Sequence, residues 1–327
     1  MTWHFTEQAE VFRRAAAAPL AADPARHTAV LTLVDGAELL GWRTGPDGRV
    51  TGTCVVSPPG VPVLGVMTAA VARALARTLP GAGAVTGVRG EAAACEAFAR
   101  ALGRPWTTTR RMRLFRLAAL TPPEPAPPGR ARRATAAEIP LAVAWARQFA
   151  RDIGDTADTD PTANITTRVT DGRLYFWEAH GVPRSMASVS PTLAGQARVS
   201  LVRTPPEERG RGFAGAVTCA VGRAALDAGA EQVLLFTDLA DPTSNALYQR
   251  LGYRPLSDHA ALAIDARERP QAARQDRPDS AQASPRVVRS PAASRASDST
   301  RAQSRDASAS GGSIQVPPTQ ATFGRAR

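Results

Sequence analysis

The sequence predicts an α/β chain, with helices and an α+β mixed sheet in one arrangement. Three observations predict it. Strand-like and helix-like segments alternate over most of the 327 residues. Their apolar spacing switches between the period of a half-buried strand and that of an amphipathic helix. Glycine and proline stand at the switches, where a chain turns or stops. An apolar fraction of 43% is enough to fill real cores at this length.

The order is clearest after residue 130. Arg130 to Arg133 opens as a strand, and Thr135-Ala136-Ala137-Glu138 has capping-box spacing before a helix through Trp145 and Phe149. Leu174-Tyr175-Phe176-Trp177-Glu178 reads as a strand. Ala197 to Val202 alternates small or apolar with polar residues, and Pro205-Pro206 stops it. Phe213, Val217, Ala220, Val221 and Ala224 then recur at helical spacing until Gly229. Val233 to Phe236 is a buried strand, and Asp241-Pro242-Thr243 starts a last helix that ends at Gly252.

Between the 197–202 strand and the next helix lies Arg209-Gly210-Arg211-Gly212-Phe213-Ala214, an R-x-x-G-x-A run. Its glycines let backbone approach a ligand without a Cβ in the way. Free N–H groups at the start of the helix then face an anion, aided by the helix dipole. Further on stands Asn245-Ala246-Leu247-Tyr248-Gln249-Arg250-Leu251-Gly252-Tyr253. Together these two motifs resemble the GNAT superfamily of N-acetyltransferases. The resemblance covers roughly residues 130–265.

The resemblance implies an acyltransferase fold, acetyl-CoA as acyl donor and an amine acceptor, small molecule or peptide, attacking directly in a ternary complex. It implies that Arg209, Gly210, Arg211, Gly212, Phe213 and Ala214 hold the pyrophosphate. Val202, Arg203 and Thr204 would lie along the pantetheine arm and thioester, in a splayed gap between two strands. Tyr248 would protonate the departing thiolate, a task that suits a phenol O–H. The family commonly has Asn where this chain has Asp241, and an ionised Asp only accepts hydrogen bonds. Asp241 is then either a cofactor contact, with Asn245 one turn away as the donor, or simply the helix N-cap. The base is not set by a motif. Glu178 is the candidate taken forward, with Asp238 and His180 beside it, and each also reads as an ordinary surface or turn residue.

Before residue 121 the order is similar. Ala29-Val30-Leu31-Thr32-Leu33-Val34 and Val50 to Val56 read as strands. A helix near Met67–Leu79, Val85 to Val88, a helix over Glu91–Leu102 and a strand over Met112–Leu117 follow. Residues 1–120 therefore read as a degenerate GNAT-like copy, tandem to a catalytic copy at 129–265. Val63-Leu64-Gly65-Val66-Met67 stands where the glycine turn would be, so no cofactor is expected in the first copy. It would cover the acceptor site or support packing. Thr121 to Pro128, with five prolines, reads as a stiff linker.

No run of about 18 apolar residues is present, and the start lacks a basic and then apolar leader, so a cytoplasmic protein without membrane contact is expected. Cys54, Cys95 and Cys219 are widely spaced, and the four histidines form no pattern, so no metal is expected. The net charge of +11 comes from arginine alone, because the chain has no lysine. Asp265–Arg327 holds eleven Arg and six Asp or Glu. That segment is rich in Ser, Ala, Pro and Arg and poor in large apolar residues, so a disordered tail is expected over 266–327. The Arg residues are scattered, which argues against specific nucleic-acid binding, although a salt-sensitive polyanion role for the tail remains a competing reading. A second competing reading keeps the fold without catalysis, as an acyl-CoA-binding or regulatory module. Asp152, Asp155, Asp158 and Asp160 form an acidic stretch that would either attract a cationic amine or stay a solvated loop. Oligomeric state is not legible.

Overall fold

Among the described residues the alternation of the sequence becomes one continuous mixed sheet of twelve strands. The computed structural model describes residues 2–57, 60–154 and 160–265. The first half contains β1 (Thr2–Thr6), α1 (Ala9–Ala15), α2 (Ala17–Ala22), α3 (Thr28–Leu33), β2 (Leu39–Thr44), β3 (Val50–Ser57) and β4 (Val61–Leu64). It continues with α4 (Ala69–Thr78), β5 (Gly87–Glu91), α5 (Ala92–Leu102) and β6 (Trp106–Leu117). The second half contains β7 (Arg130–Arg133), α6 (Ile139–Asp152), α7 (Thr162–Thr170), β8 (Leu174–Ala179), β9 (Val182–Val189) and β10 (Gln196–Arg203). It ends with α8 (Phe213–Asp227), β11 (Gln232–Asp238), α9 (Pro242–Arg250) and β12 (Tyr253–Ile264).

The strand order is β1-β2-β3-β4-β5-β12-β6-β11-β10-β9-β8-β7. If β7 to β12 are matched with β1 to β6, this order is a palindrome. Each half runs its first five strands in sequence and then receives the sixth strand of the other. β6 pairs antiparallel with β11 from Leu234↔Arg116 to Asp238↔Met112, and β12 lies between β5 and β6. The two halves accordingly belong to one compact unit. The tail at 266–327, and Asp155 and Asp158, lie outside the described residues.

One sequence expectation fails here. Ala29–Val34 was expected as a strand and is helical, as α3 followed by a 3-10 turn at Val34–Gly36. A six-residue apolar run cannot be assigned by periodicity alone. Tertiary packing decides it: Val30 and Val34 bury against Phe12, Leu20, Leu40 and Val55.

The two faces of the second half carry different cores. On one, Val217 and Val221 of α8, Tyr248 of α9 and Leu251 at its C-cap pack on Ala197, Val199, Val233 and Leu235. On the other, Trp145 and Ala146 of α6 and Ile165 and Val169 of α7 pack on Leu174, Phe176 and Met186. The alternation of each strand sends neighbouring residues to opposite faces, and this separation positions the site.

The proline-rich 121–128 segment runs along α8. Cβ atoms placed on Gly215 and Gly212 would stand 3.9 Å from Pro123 and 3.6 Å from Pro127. The Cys219 thiol donates to the Thr121 carbonyl at 3.4 Å, and the Trp177 indole donates to that of Pro128 at 2.9 Å. Small side chains at 215, 219 and 222 leave a groove for a chain with few N–H groups to satisfy. No helix among the described residues is long and apolar enough to cross a membrane.

Candidate active site

The site begins at an irregularity of β10. β10 runs parallel to β11 from Gln196↔Gln232 to Val199↔Leu235, and the pairing then stops. On the other edge, Ser200 faces Ser188 and Arg203 faces Met186 in β9. Two residues, Leu201 and Val202, thus oppose the single Ala187, which makes a β-bulge. Leu201 has φ +53°, a left-handed backbone rarely adopted by a branched side chain. Such strain gathers at functional sites. It turns Leu201 toward the α6 core and Val202 toward the α8 core. β11 remains fixed to β6, so a gap opens between β10 and β11.

The glycine turn closes one end of this gap. Gly210 and Gly212 have φ +75° and +81°. Gly212 is the N-cap of α8 and supplies no side-chain cap. The first-turn N–H groups of this fifteen-residue helix therefore lack intrahelical acceptors and face outward. An anion fits that arrangement. The equivalent helix of the first half differs: Thr68 caps α4 by accepting from the Val71 N–H at 3.4 Å. A Cβ on Gly65 there would lie 2.1 Å from Thr53 Oγ1 and 2.9 Å from His27 Nδ1, so that corner is filled by side chains.

The arginines of the turn are held in place. Arg209 Nε donates to the Thr204 carbonyl at 3.2 Å, and its Nη2 reaches Asp152 at 3.1 Å. Arg203 is buried and pairs with Asp152 at 2.5 Å and Gln148 at 2.6 Å, so its side chain braces α6. Arg211 pairs with buried Glu208, which also binds Arg184, and its guanidinium lies 5.0 Å over the Phe213 ring. Thr204 Oγ1 shares a 2.9 Å hydrogen bond with Ser185 Oγ. Phe213 is buried, and Ala214 is half-buried behind the turn.

Tyr248 sits on α9, on the α8 side of the gap, in the cluster that contains Val199 and Leu235. Its ring meets Tyr253 edge-on at 6.1 Å. Among the described residues its hydroxyl has no hydrogen-bond partner. Burial, reinforced by Asp241, pushes its pKa above the ordinary tyrosine value, so it stays protonated and can donate. Asp241 caps α9, accepting from the Ser244 N–H at 3.1 Å and from its hydroxyl at 2.5 Å. The Asn245 amide donates to the carbonyls of Asp238 and Asp241, each at 2.6 Å, and pins β11 to α9. Both side chains serve the turn.

The structure does not bring Glu178 to the gap. It lies on β8, two strands from β10, and Arg132 holds its carboxylate at 2.5 Å. The same arginine grips Glu138 at the start of α6, which ties Glu178 to that face. Asp238 is nearer, at the end of β11, where Oδ1 accepts from the Ala240 N–H at 2.8 Å. His180 sits in the β8–β9 turn with φ +54°. The three cysteines are buried, and burial pushes Cys54 up to about 12 and Cys219 to about 11, which removes thiolate nucleophiles. Among the described residues no group of three metal-ligating side chains occurs.

Sequence reasoning missed Leu201, Glu208 and Arg168. Two adjacent apolar residues, Leu201-Val202, break the β10 alternation and carried the signal for the bulge. Glu208 and Arg168 have no local signal, because their partners come from distant segments.

Residues 185–261 match the family model described as FR47-like protein. Solved structures share the architecture. An acetyltransferase from the GNAT family from Colwellia psychrerythraea is 13% identical, with TM-score 0.52, over 81% of this chain and 99% of its own. A GCN5-related N-acetyltransferase from Kribbella flavida is 21% identical, with TM-score 0.52, over 76% and 95%. One from Sphaerobacter thermophilus is 18% identical, with TM-score 0.56, over 80% and 95%. No curated protein matches the sequence. The chain has the fold of these GNAT acetyltransferases, and residues 185–261 are similar in sequence to the FR47-like family.

Proposed function

We propose that this chain transfers an acetyl group from acetyl-CoA to an amine, by direct attack within a ternary complex. One observation carries the reading: an uncapped α8 N-terminus behind a left-handed Gly212, opening beside the unpaired ends of β10 and β11. The turn 209–214 would take the pyrophosphate on backbone N–H groups, with Arg209 and Arg211 at its rim. The bulged backbone of Leu201 and Val202 would align the pantetheine arm and polarise the thioester carbonyl.

The neutral amine nitrogen forms a bond to the carbonyl carbon. The C–S bond then breaks, and the sulfur takes the proton of the Tyr248 hydroxyl. The proton lost by the nitrogen restores the phenol through solvent, so no net proton is consumed. Holding both substrates in the gap supplies much of the remaining rate.

The palindromic strand order supports reading residues 1–120 and 129–265 as two copies of one unit, with the cofactor in the second. In that reading α3 roofs the acceptor side: Thr28 Oγ1 donates to Gln196 at 2.8 Å, and Arg198 donates to Thr32 at 3.1 Å. A non-catalytic acyl-CoA-binding module is favoured by the engagement of Glu178 with Arg132.

Calorimetric titration of acetyl-CoA into the full chain tests the proposal, followed by thiol release over a panel of amines. Binding at one site with amine-dependent thiol release supports it. Binding without turnover selects the module, and no binding removes both readings.

A further inference from the structure

On the face of the gap opposite Tyr248, two guanidinium groups stand without a carboxylate. Arg168 of α7 donates to Ser188 at 2.5 Å, to Ser200 at 3.0 Å and to Asn164 at 2.7 Å. Arg198, two residues before Ser200 on the same face of β10, gives one hydrogen bond, to Thr32. Its guanidinium lies 5.8 Å over the Phe236 ring. All of these acceptors are neutral. Among the described residues neither arginine has an acidic partner, whereas thirteen other arginines do.

A half-buried, unpaired positive charge is costly to keep, and two adjacent ones repel each other. The surroundings weaken the charge of both: burial first, then a neighbouring arginine, lowers each to about 10. An arginine presents five N–H donors, and Arg198 has most of them unused. The pair adjoins the chemistry. Ser200, which Arg168 holds, immediately precedes the strained Leu201 of the bulge.

We propose that Arg168 and Arg198 bind the anionic end of the acceptor, so that the acceptor class is an amine carrying a carboxylate. The inference rests on the acyl-transfer reading and names the substrate class for the same site. A carboxylate there satisfies both guanidiniums through charge-assisted hydrogen bonds. It also orients the amine of the same molecule toward the gap at Leu201 and Val202. The half-buried Phe236 ring supplies an apolar wall for the connecting carbons.

The test is calorimetric binding to the full chain, first with CoA and then, at saturating CoA, with glycine, β-alanine, 4-aminobutyrate, L-glutamate and L-lysine. Each acid is compared with its carboxamide. At least one acid is expected to bind tenfold or more tightly than its amide, and R198Q that still binds CoA is expected to lose that preference. Acids that bind no better than amides across the panel would overturn the inference and leave the acyl-transfer reading standing. So would a preference that survives R198Q and R168Q alike. If CoA itself does not bind, the acyl-transfer reading falls and takes this inference with it.

Discussion

Arg203 and Arg209 share one oxygen of Asp152, at 2.5 and 3.1 Å, so the end of β10 and the glycine turn are braced together against α6. Arg203 is 5% exposed, and its charge is compensated there. Removing the carboxylate in Asp152→Ala leaves that charge uncompensated. The carboxylate is partly exposed, which reduces the loss to about 1–2 kcal/mol. The urea midpoint should fall, and acetyl-CoA should bind more weakly because Arg209 loses its brace. An unchanged midpoint would show that the pair is idle.

Gly212 occupies a left-handed position at φ +81°. A branched residue there costs about 1–2 kcal/mol in backbone strain and puts methyl groups before the α8 N-terminus. Gly212→Val should weaken acetyl-CoA binding at least tenfold in a calorimetric titration. Normal binding by a folded Gly212→Val would sink the assignment of the turn.

For Tyr248→Phe the expected result is a fall in turnover of about a hundredfold, within the range for loss of a positioned acid. Affinity for acetyl-CoA should hold. Stability should change little, since the hydroxyl has no hydrogen-bond partner among the described residues and the ring keeps its contact with Tyr253. Steady-state rates with any accepted amine give the answer, and an unchanged rate removes Tyr248 from the mechanism.

The glycine turn and the two helices that flank β11 were legible because their signals are local. Spacing, caps and left-handed glycines follow from a few neighbouring residues, as the Thr135–Glu138 capping box shows. The strand exchange was not legible. The pairing of Leu234 with Arg116 depends on contacts between residues far apart in sequence, and β6 reads the same whichever half it joins. The place of Glu178 at the end of a strand-like run is a local signal, but Arg132, 46 residues away, determines what its carboxylate does. Ala29–Val34 failed for a similar reason, since a short apolar run takes its conformation from the surface it covers.

His259 is one source of acid sensitivity at the centre of the sheet, and buried His27, whose pKa burial also lowers, is a second. Burial lowers the pKa of His259 to about 4, and its ring meets Phe236 edge-on at 4.9 Å. The unfolded chain binds this proton near pH 6.5, and the folded chain only near 4. The unfolded state therefore holds more protons within that window, and stability rises with pH through it. The contribution is complete above about pH 6.5 and is lost as pH falls toward 4, a change of about 3 kcal/mol. Melting temperatures between pH 4 and 7 should show this slope, and His259→Gln should make it shallower, with His27 keeping part of it. An equal slope in the variant would assign the sensitivity elsewhere.

The exchanged strands make a prediction about the halves. Residues 1–120 would keep β6 but lose β11 and β12, its two neighbours in the sheet. Residues 129–265 would keep β12 but lose both β5 and β6. Each fragment would expose a long unpaired strand edge at the middle of its former sheet, together with apolar residues such as Phe115 and Leu262 that are buried in the whole chain. Neither fragment is therefore expected to fold alone, and each should aggregate or show weak tertiary signals in near-ultraviolet circular dichroism. Mixed or co-expressed, they should associate one to one and regain the signal of the intact chain, because the exchange needs no covalent link through 121–128. A second half that folds as a stable monomer would mean that β12 can occupy the place of β6 beside β11, and that the exchange is optional for the fold.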